Sequence, residues 1–471
     1  MLFHTPVFGF FLFACVAVAW ALANRPRARL GFLLVASYVF YAAWEPRFVV
    51  LMAGCAVLDW AGALVVARQP TARRRRVAVA VVAGVHLGLL GFWKYTDFIL
   101  QALEPWLAEG GAAVGPSGIL LPVGISFFTF QGIGYVVDVG RGQVRAETAL
   151  WRVMLFLAFF PQLIAGPIVR ADRLLPQLGG QGHPAPRLRL PDEDFSRGLS
   201  LLIVGLLKKT VLADVLAREI VDRVFDLPQM YTGPEVLVAV YGYALQIYGD
   251  FSGYSDMAVG MAVMFGISIP RNFDRPYRAA SLQEFWRRWH ITLSQWLRDY
   301  LYIPLGGNRG GRWARDRNLL ITMVLGGLWH GAAWTFVAWG TLHGFGLVVE
   351  RRFGRPARAG WRRAIRVLVT FHLVCFAWIW FRAPSFDLGA DVVRQLWTGG
   401  WDAAPNLNAT MAVVLALGAL EQAWPREWGR RVAQGFVRAP ALAQAAVLVV
   451  ALRLVATLDQ GGSSPFIYFQ F

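Results

Sequence analysis

The chain has 471 residues, 56% of them hydrophobic and only 16% charged, with a mean hydropathy of +0.46. Soluble domains carry about 25% charged residues, so this composition excludes an ordinary globular enzyme. The net charge of +17 raises nucleic-acid binding, but the arginines gather in short stretches between apolar blocks without interleaved exposed aromatics, which argues against nucleic acid as a partner.

In chain order, the first apolar block, 7–23, has a signal-like length, but its positive charges (Arg25, Arg27, Arg29) follow it rather than precede it. It is expected to be a retained first span, not a cleaved signal peptide. Further apolar blocks occupy 30–43, 48–67, 77–92, 151–165, 236–269, 319–349, 367–381, 411–420 and 441–458. A helical span needs about 20 apolar residues. Several blocks meet that, and 236–269 and 319–349 are long enough for a tilted span plus a second segment. Nothing shows the alternating segments of a β-barrel. The expected fold is all-α: a polytopic helical membrane bundle of about 10–12 membrane helices, some re-entrant or broken.

The arginine clusters mark the cytoplasmic side: Arg68 with Arg73–Arg76, then Arg351, Arg352, Arg355, Arg358, Arg362, Arg363 and Arg366, and finally Arg426, Arg430, Arg431 and Arg438. Parity then places the N-terminus and the 461–471 tail outside. Attraction to anionic membrane lipids accompanies this topology. The three cysteines, Cys15, Cys55 and Cys375, each sit inside an apolar block. They read as small hydrophobes, with no disulfide framework and no CxxC pair.

Between the blocks lie several irregular stretches. Proline and glycine interrupt 121–124 and 160–167, and breakers at membrane depth mark cavity candidates. The 170–197 stretch, with prolines at 176, 184, 186 and 191, reads as a cytoplasmic loop with short helical pieces. Region 270–318 instead mixes tryptophans, tyrosines and arginines densely, as an interfacial segment would. A helix over 281–300, lying in or dipping into the bilayer from the cytoplasmic side, is predicted to start at a capping box of Ser281 and Glu284.

Seven histidines are present. His4 and His183 fall outside the apolar blocks, whereas His86, His343 and His372 lie within them, each as a lone side chain that a core could satisfy. His330 stands among Gly326, Gly327, Gly331, Ala332 and Ala333, between Trp329 and Trp334. Those small residues suit a tight helix–helix contact or leave room for a substrate. His290 follows Arg287-Arg288-Trp289, where nearby cations favour a neutral imidazole able to accept a proton; a structural histidine bonding a carbonyl is the alternative. No GxSxG elbow, HExxH or P-loop competes with these histidines. Acidic residues inside the spans are few (Asp59, Asp138, Asp250, Asp256), against the acidic relay of a proton-coupled transporter.

Seven stretches in order resemble the membrane-bound O-acyltransferases. They are Leu121-Pro-Val-Gly-Ile-Ser-Phe-Phe-Thr-Phe-Gln131 with Asp138, Phe160-Pro-Gln-Leu-Ile-Ala-Gly-Pro167, Asp250-Phe-Ser-Gly-Tyr-Ser-Asp256, Asn272-Phe-Asp-Arg-Pro-Tyr277, Phe285-Trp-Arg-Arg-Trp-His290, Tyr302-Ile-Pro-Leu-Gly-Gly-Asn308 and Leu328-Trp-His-Gly331. The ending Pro465-Phe-Ile-Tyr-Phe-Gln-Phe471 is similar to the bacterial branch typified by the alginate O-acetyltransferase membrane subunit.

The resemblance implies a single domain, with N-terminal spans over 1–117, a catalytic core with a funnel over 118–350, and C-terminal spans over 351–471. It maps the family's intramembrane catalytic histidine onto His330 and its second active-site histidine onto His290. It also implies a bacterial inner membrane, an acetyl donor on the cytoplasmic side with acetyl-CoA as co-substrate, and export-side partner proteins or polysaccharide as acceptors. No metal or prosthetic group is expected. Trp329, Asn272, Asp256, Trp286 and Trp289 are the candidate substrate-binding residues, and the indole N–H groups and Asn272 are candidates to stabilise the thioester oxygen. The alternatives are D-alanyl or acetyl transfer to teichoic acid, peptidoglycan or cellulose, or a transporter without chemistry.

Overall fold

The computed structural model describes residues 3–109, 117–164, 166–186, 188, 192–354, 360–458 and 466–467. Arg355, Arg358, Pro191, Ala165 and all of the 461–471 tail except Phe466 and Ile467 lie outside them. Every regular element among the described residues is helical. Arg47–Ala67, Ala72–Glu104, Trp361–Arg382 and Ala441–Leu458 are long and apolar enough to cross a membrane, and Pro6–Ala21 and Ala409–Ala423 are shorter apolar helices. The protein is a multi-pass helical membrane bundle.

The chain divides into two compact units, 1–195 with 261–270, and 196–260 with 271–471. In the first unit the two proline–glycine breaks meet each other instead of lining open space. Gly124, left-handed at φ 76°, begins the Ile125–Gly140 helix. A Cβ there would come within 2.7 Å of the Leu163 carbonyl oxygen, so only glycine fits. Tyr41 donates its hydroxyl to the Val123 carbonyl over 2.9 Å, and the Phe160 N–H donates to Ser37 Oγ over 3.1 Å. Backbone groups freed by the breaks are thus satisfied inside protein, as an apolar solvent requires. The 170–197 stretch contains the expected short helical pieces, Ala171–Leu174 and Leu175–Leu178.

Two of the long apolar blocks behave differently from one another. Block 236–269 forms one 32-residue helix, Gly233–Met264, rather than a span plus a second segment. It holds no proline before Pro270, and its chain turns only at Gly266, at φ 72°. Block 319–349 does split, into Gly311–His330 and Trp334–Phe353. These two helices form a hairpin whose backbones nearly touch, because a Cβ on Gly327 would overlap the Phe336 carbonyl and one on Gly340 the Met323 carbonyl. The small residues near His330 therefore serve close helix packing, the first of the two readings their sequence allowed.

Candidate active site

Apart from the Asp59–His86 pair, the residues that follow belong to the second unit. His330 is the last residue of its helix; Gly331 continues in extended backbone (φ −155°, ψ 150°). A Cβ at Gly331 would run into the Phe336 ring, so the turn packs tightly beneath the histidine. His330 is 3% exposed and walled by aromatic rings: Trp329 at 4.9 Å, Trp339 at 5.1 Å and Phe381 at 5.3 Å between centroids, all edge-on.

The predicted 281–300 helix is interrupted. Ser281 does cap it, accepting the Glu284 N–H over 3.0 Å, and the Glu284 carboxylate accepts the Ala280 N–H over 2.9 Å. The first helix stops at Trp286 and a second runs Ile291–Leu297. Between them His290 adopts a left-handed conformation, φ 40° and ψ 56°, which costs a non-glycine residue about 1–2 kcal/mol. The break turns both Trp289 and His290 inward, each 0% exposed.

Asn272 holds this break in place. Its backbone carbonyl accepts the Ile291 N–H over 2.9 Å. Its side-chain oxygen accepts the Thr292 N–H over 3.1 Å and the Thr292 hydroxyl over 2.9 Å. The same oxygen lies 3.2 Å from His290 Nδ1. A backbone N–H only donates, so it fixes which end of the amide is oxygen, and that oxygen in turn requires a proton on Nδ1. Neutral His290 therefore carries its lone pair on Nε2. The Asn272 amide nitrogen is buried with no hydrogen-bond acceptor among the described residues.

Trp329 joins the two histidines, its indole 6.0 Å from His290 and 4.9 Å from His330. Phe251 meets His290 edge-on at 4.6 Å. Trp289 lies under the break, stacked on Phe285 at 5.6 Å and edge-on to Phe273 at 5.0 Å. Trp286 packs against Trp339 at 5.7 Å. Of the predicted substrate-binding residues, then, Trp329, Asn272, Trp286 and Trp289 stand around the histidines. Asp256 is engaged elsewhere, 2.9 Å from Lys208, which also faces Glu421 at 3.4 Å. A neighbouring buried pair, Lys209 with Asp250 at 2.9 Å, receives the Ile467 N–H on Asp250 over 2.7 Å.

The structure adds His343 to this shell. It is 2% exposed, stacked on Phe285 at 5.9 Å and edge-on to Trp286 at 5.2 Å and Trp339 at 5.0 Å. Trp339 thus contacts both His330 and His343. The sequence carried a signal for it: Phe336, Trp339, Gly340, His343 and Leu347 fall at helical spacing on one buried face. His86 and His372 have local partners instead. His86 Nε2 lies 2.7 Å from Asp59 Oδ1 in the first unit, and His372 bonds the Leu368 carbonyl and the Tyr241 hydroxyl.

A buried imidazole with a defined acceptor nitrogen, a second imidazole one indole away and aromatic walls suit proton transfer out of water's reach. Comparison with known proteins identifies the family. The model of the membrane-bound O-acyltransferase family matches residues 146–386. The probable alginate O-acetylase AlgI of Pseudomonas aeruginosa is 40% identical over 428 residues, covering 90% of this chain and 80% of that protein. The peptidoglycan O-acetyltransferase of Helicobacter pylori is 36% identical over 430 residues, 84% of this chain and 80% of that one. The teichoic acid D-alanyltransferase of Bacillus subtilis is 26% identical over 304 residues, 61% of this chain and 75% of its own length. The chain belongs to the membrane-bound O-acyltransferase family and is an O-acyltransferase.

Proposed function

We propose that this enzyme moves acetyl groups from a cytoplasmic thioester, acetyl-CoA, to an export-side polysaccharide of the alginate kind through partner proteins, in a bacterial inner membrane with the N-terminus outside. The relatives' printed activities support the acetyl group and the polymer acceptor. In the reaction an acceptor hydroxyl oxygen attacks the thioester carbonyl carbon. A C–O bond forms, the C–S bond breaks, and the hydroxyl proton passes to a base and on to the leaving thiolate.

His330 is the general base, a role worth about 10²–10⁴-fold. His290 assists it. The observation that carries this reading is the Asn272 oxygen beside His290 Nδ1. With its proton committed there, neutral His290 meets the site through an acceptor nitrogen, which favours relaying a proton over polarising the thioester. The buried indole N–H groups of Trp286, Trp289 and Trp339 and the amide nitrogen of Asn272 are donors available for the developing oxyanion.

The test is polymer acetylation in cells carrying wild type, His330→Ala or His290→Ala at matched membrane levels. Loss with His330→Ala alone supports a single base, and loss in both makes the pair the site. Full acetylation in both variants overturns the proposal. Because the peptidoglycan enzyme is nearly as similar as the alginate one, both polymers are assayed.

A further inference from the structure

A groove of about 500 Å³ opens beside the start of the Trp361–Arg382 helix, within the second unit and away from the two catalytic histidines. One wall is a single helix face: Arg363, Ala364, Val367, Leu368 and Phe371. Across from it stand Tyr277 and Arg278. The wall from Arg363 to Phe371 covers about 12 Å of helix rise. Because this helix is long and apolar enough to span, the groove runs from the headgroup level into hydrocarbon.

Its chemistry is divided along that length. The rim is cationic. Arg278 is exposed and makes no ion pair among the described residues. Arg363 approaches Glu284 at 3.1 Å, a carboxylate it shares with Arg288 at 2.8 Å, while Arg288 also faces Asp274 at 3.6 Å. The first turns of the helix add Arg362 and Arg366 and no acid, with Trp361 exposed beside them as at a membrane interface. Below the rim the lining is hydrocarbon. The Tyr277 hydroxyl is turned away and donates to the Ala244 carbonyl, which leaves the ring to face the groove. This lining merges with the outward face of the helix, where Leu368 is 57% and Leu373 52% exposed.

We propose that the groove is a binding site for a phospholipid with an anionic headgroup. The headgroup phosphate lies between Arg278 and Arg363, and one acyl chain runs along Val367, Leu368 and Phe371. Cations at the rim above an apolar strip match that amphiphile. A nucleotide base would find no free hydrogen-bonding side chain below the arginines, since the Tyr277 hydroxyl is engaged with the Ala244 carbonyl. The back wall gives the site a route to the chemistry. Tyr277 packs against Phe285 at 6.3 Å and Trp289 at 6.2 Å, and Trp289 directly precedes His290. A lipid in the groove therefore supports the aromatic layer on which the His290 break rests.

The experiment uses the full-length protein in a neutral detergent with equimolar phosphatidylglycerol and phosphatidylcholine, and reads retained lipid by native mass spectrometry. One phosphatidylglycerol is expected to be kept over phosphatidylcholine, with about fivefold of the preference carried by each arginine. Arg278→Gln, at an exposed and unpaired side chain, should remove about fivefold of it. Ala364→Trp fills the groove without touching the charges and should abolish retention of both lipids, while the thermal midpoint reports that the variant is folded. Equal retention of the two lipids by wild type overturns the proposal, as does a preference unchanged in Arg278→Gln. Displacement of phosphatidylglycerol one-for-one by acetyl-CoA also overturns it, because the groove would then belong to the acyl donor.

Discussion

Asn272 Oδ1 lies 3.2 Å from His290 Nδ1 while accepting both the backbone N–H and the hydroxyl of Thr292. One oxygen therefore fixes the backbone of the break and the tautomer of the imidazole together. Asn272→Leu keeps the bulk and removes the acceptor, and is expected to lower kcat by about 10²-fold, the low end of what a positioned acid–base group supplies. Asn272→Asp should restore much of the rate. Its carboxylate stabilises imidazolium, so the acidic limb of the pH–rate profile moves to higher pH. If His290 takes no part in the reaction, that limb stays where it is.

The hairpin that carries His330 depends on contacts that only glycine permits. Gly340→Ala places a methyl group against the Met323 carbonyl, with an expected cost of about 1–3 kcal/mol for such overpacking. Gly88, in contrast, lies inside a helix with open space where a Cβ would stand, and Gly88→Ala should stabilise by about 0.5–1 kcal/mol. Thermal midpoints of the two purified variants test the contrast.

In the first unit the Asp59–His86 pair has no solvent exposure on either side chain. His86→Leu leaves a buried carboxylate without its partner and is expected to cost about 3–5 kcal/mol. The double substitution Asp59→Leu with His86→Leu should recover most of that loss. A double-mutant cycle on unfolding midpoints measures the coupling, and additivity of the two single variants would remove the pair from the account.

Glu284 offers a pH-dependent test outside the spans. Burial alone would raise its carboxyl, but hydrogen bonds from Arg363, the Ala280 N–H and Arg288 outweigh that and hold it at about 2, from an ordinary 4.5. Its contribution to stability is therefore complete above 4.5 and fades as pH falls toward about 2. The difference in thermal midpoint between wild type and Glu284→Gln should stay constant from neutral pH down to about 5, then shrink on further acidification. A difference that grew on acidification would contradict the assignment.

The helical membrane class was legible in composition and in the length of blocks such as 48–67 and 367–381, because hydropathy is a sum over neighbouring residues and needs no partner. The motifs containing His290 and His330 were legible as well, since each is contiguous in the chain. So was the Ser281 cap, a contact between residues three apart. Length alone predicted a second segment in both 236–269 and 319–349; it held for the second block and failed for the first, which is one helix, Gly233–Met264.

What only the tertiary structure decided are relationships between residues far apart in the chain. Ser281 and Glu284 announced a helix, but no local propensity stops it at Trp286 and turns His290 left-handed. That conformation persists because Asn272, 18 positions earlier, supplies the hydrogen bonds that offset its strain. His343 looked like one lone histidine among several until Phe285, 58 positions earlier, was found stacked on it. Likewise, the small residues around His330 could have left space or closed it, and the approach of Gly340 to Met323 closed it. Sequence determines which segments leave water; packing between those segments determines where each imidazole points and which nitrogen carries its proton.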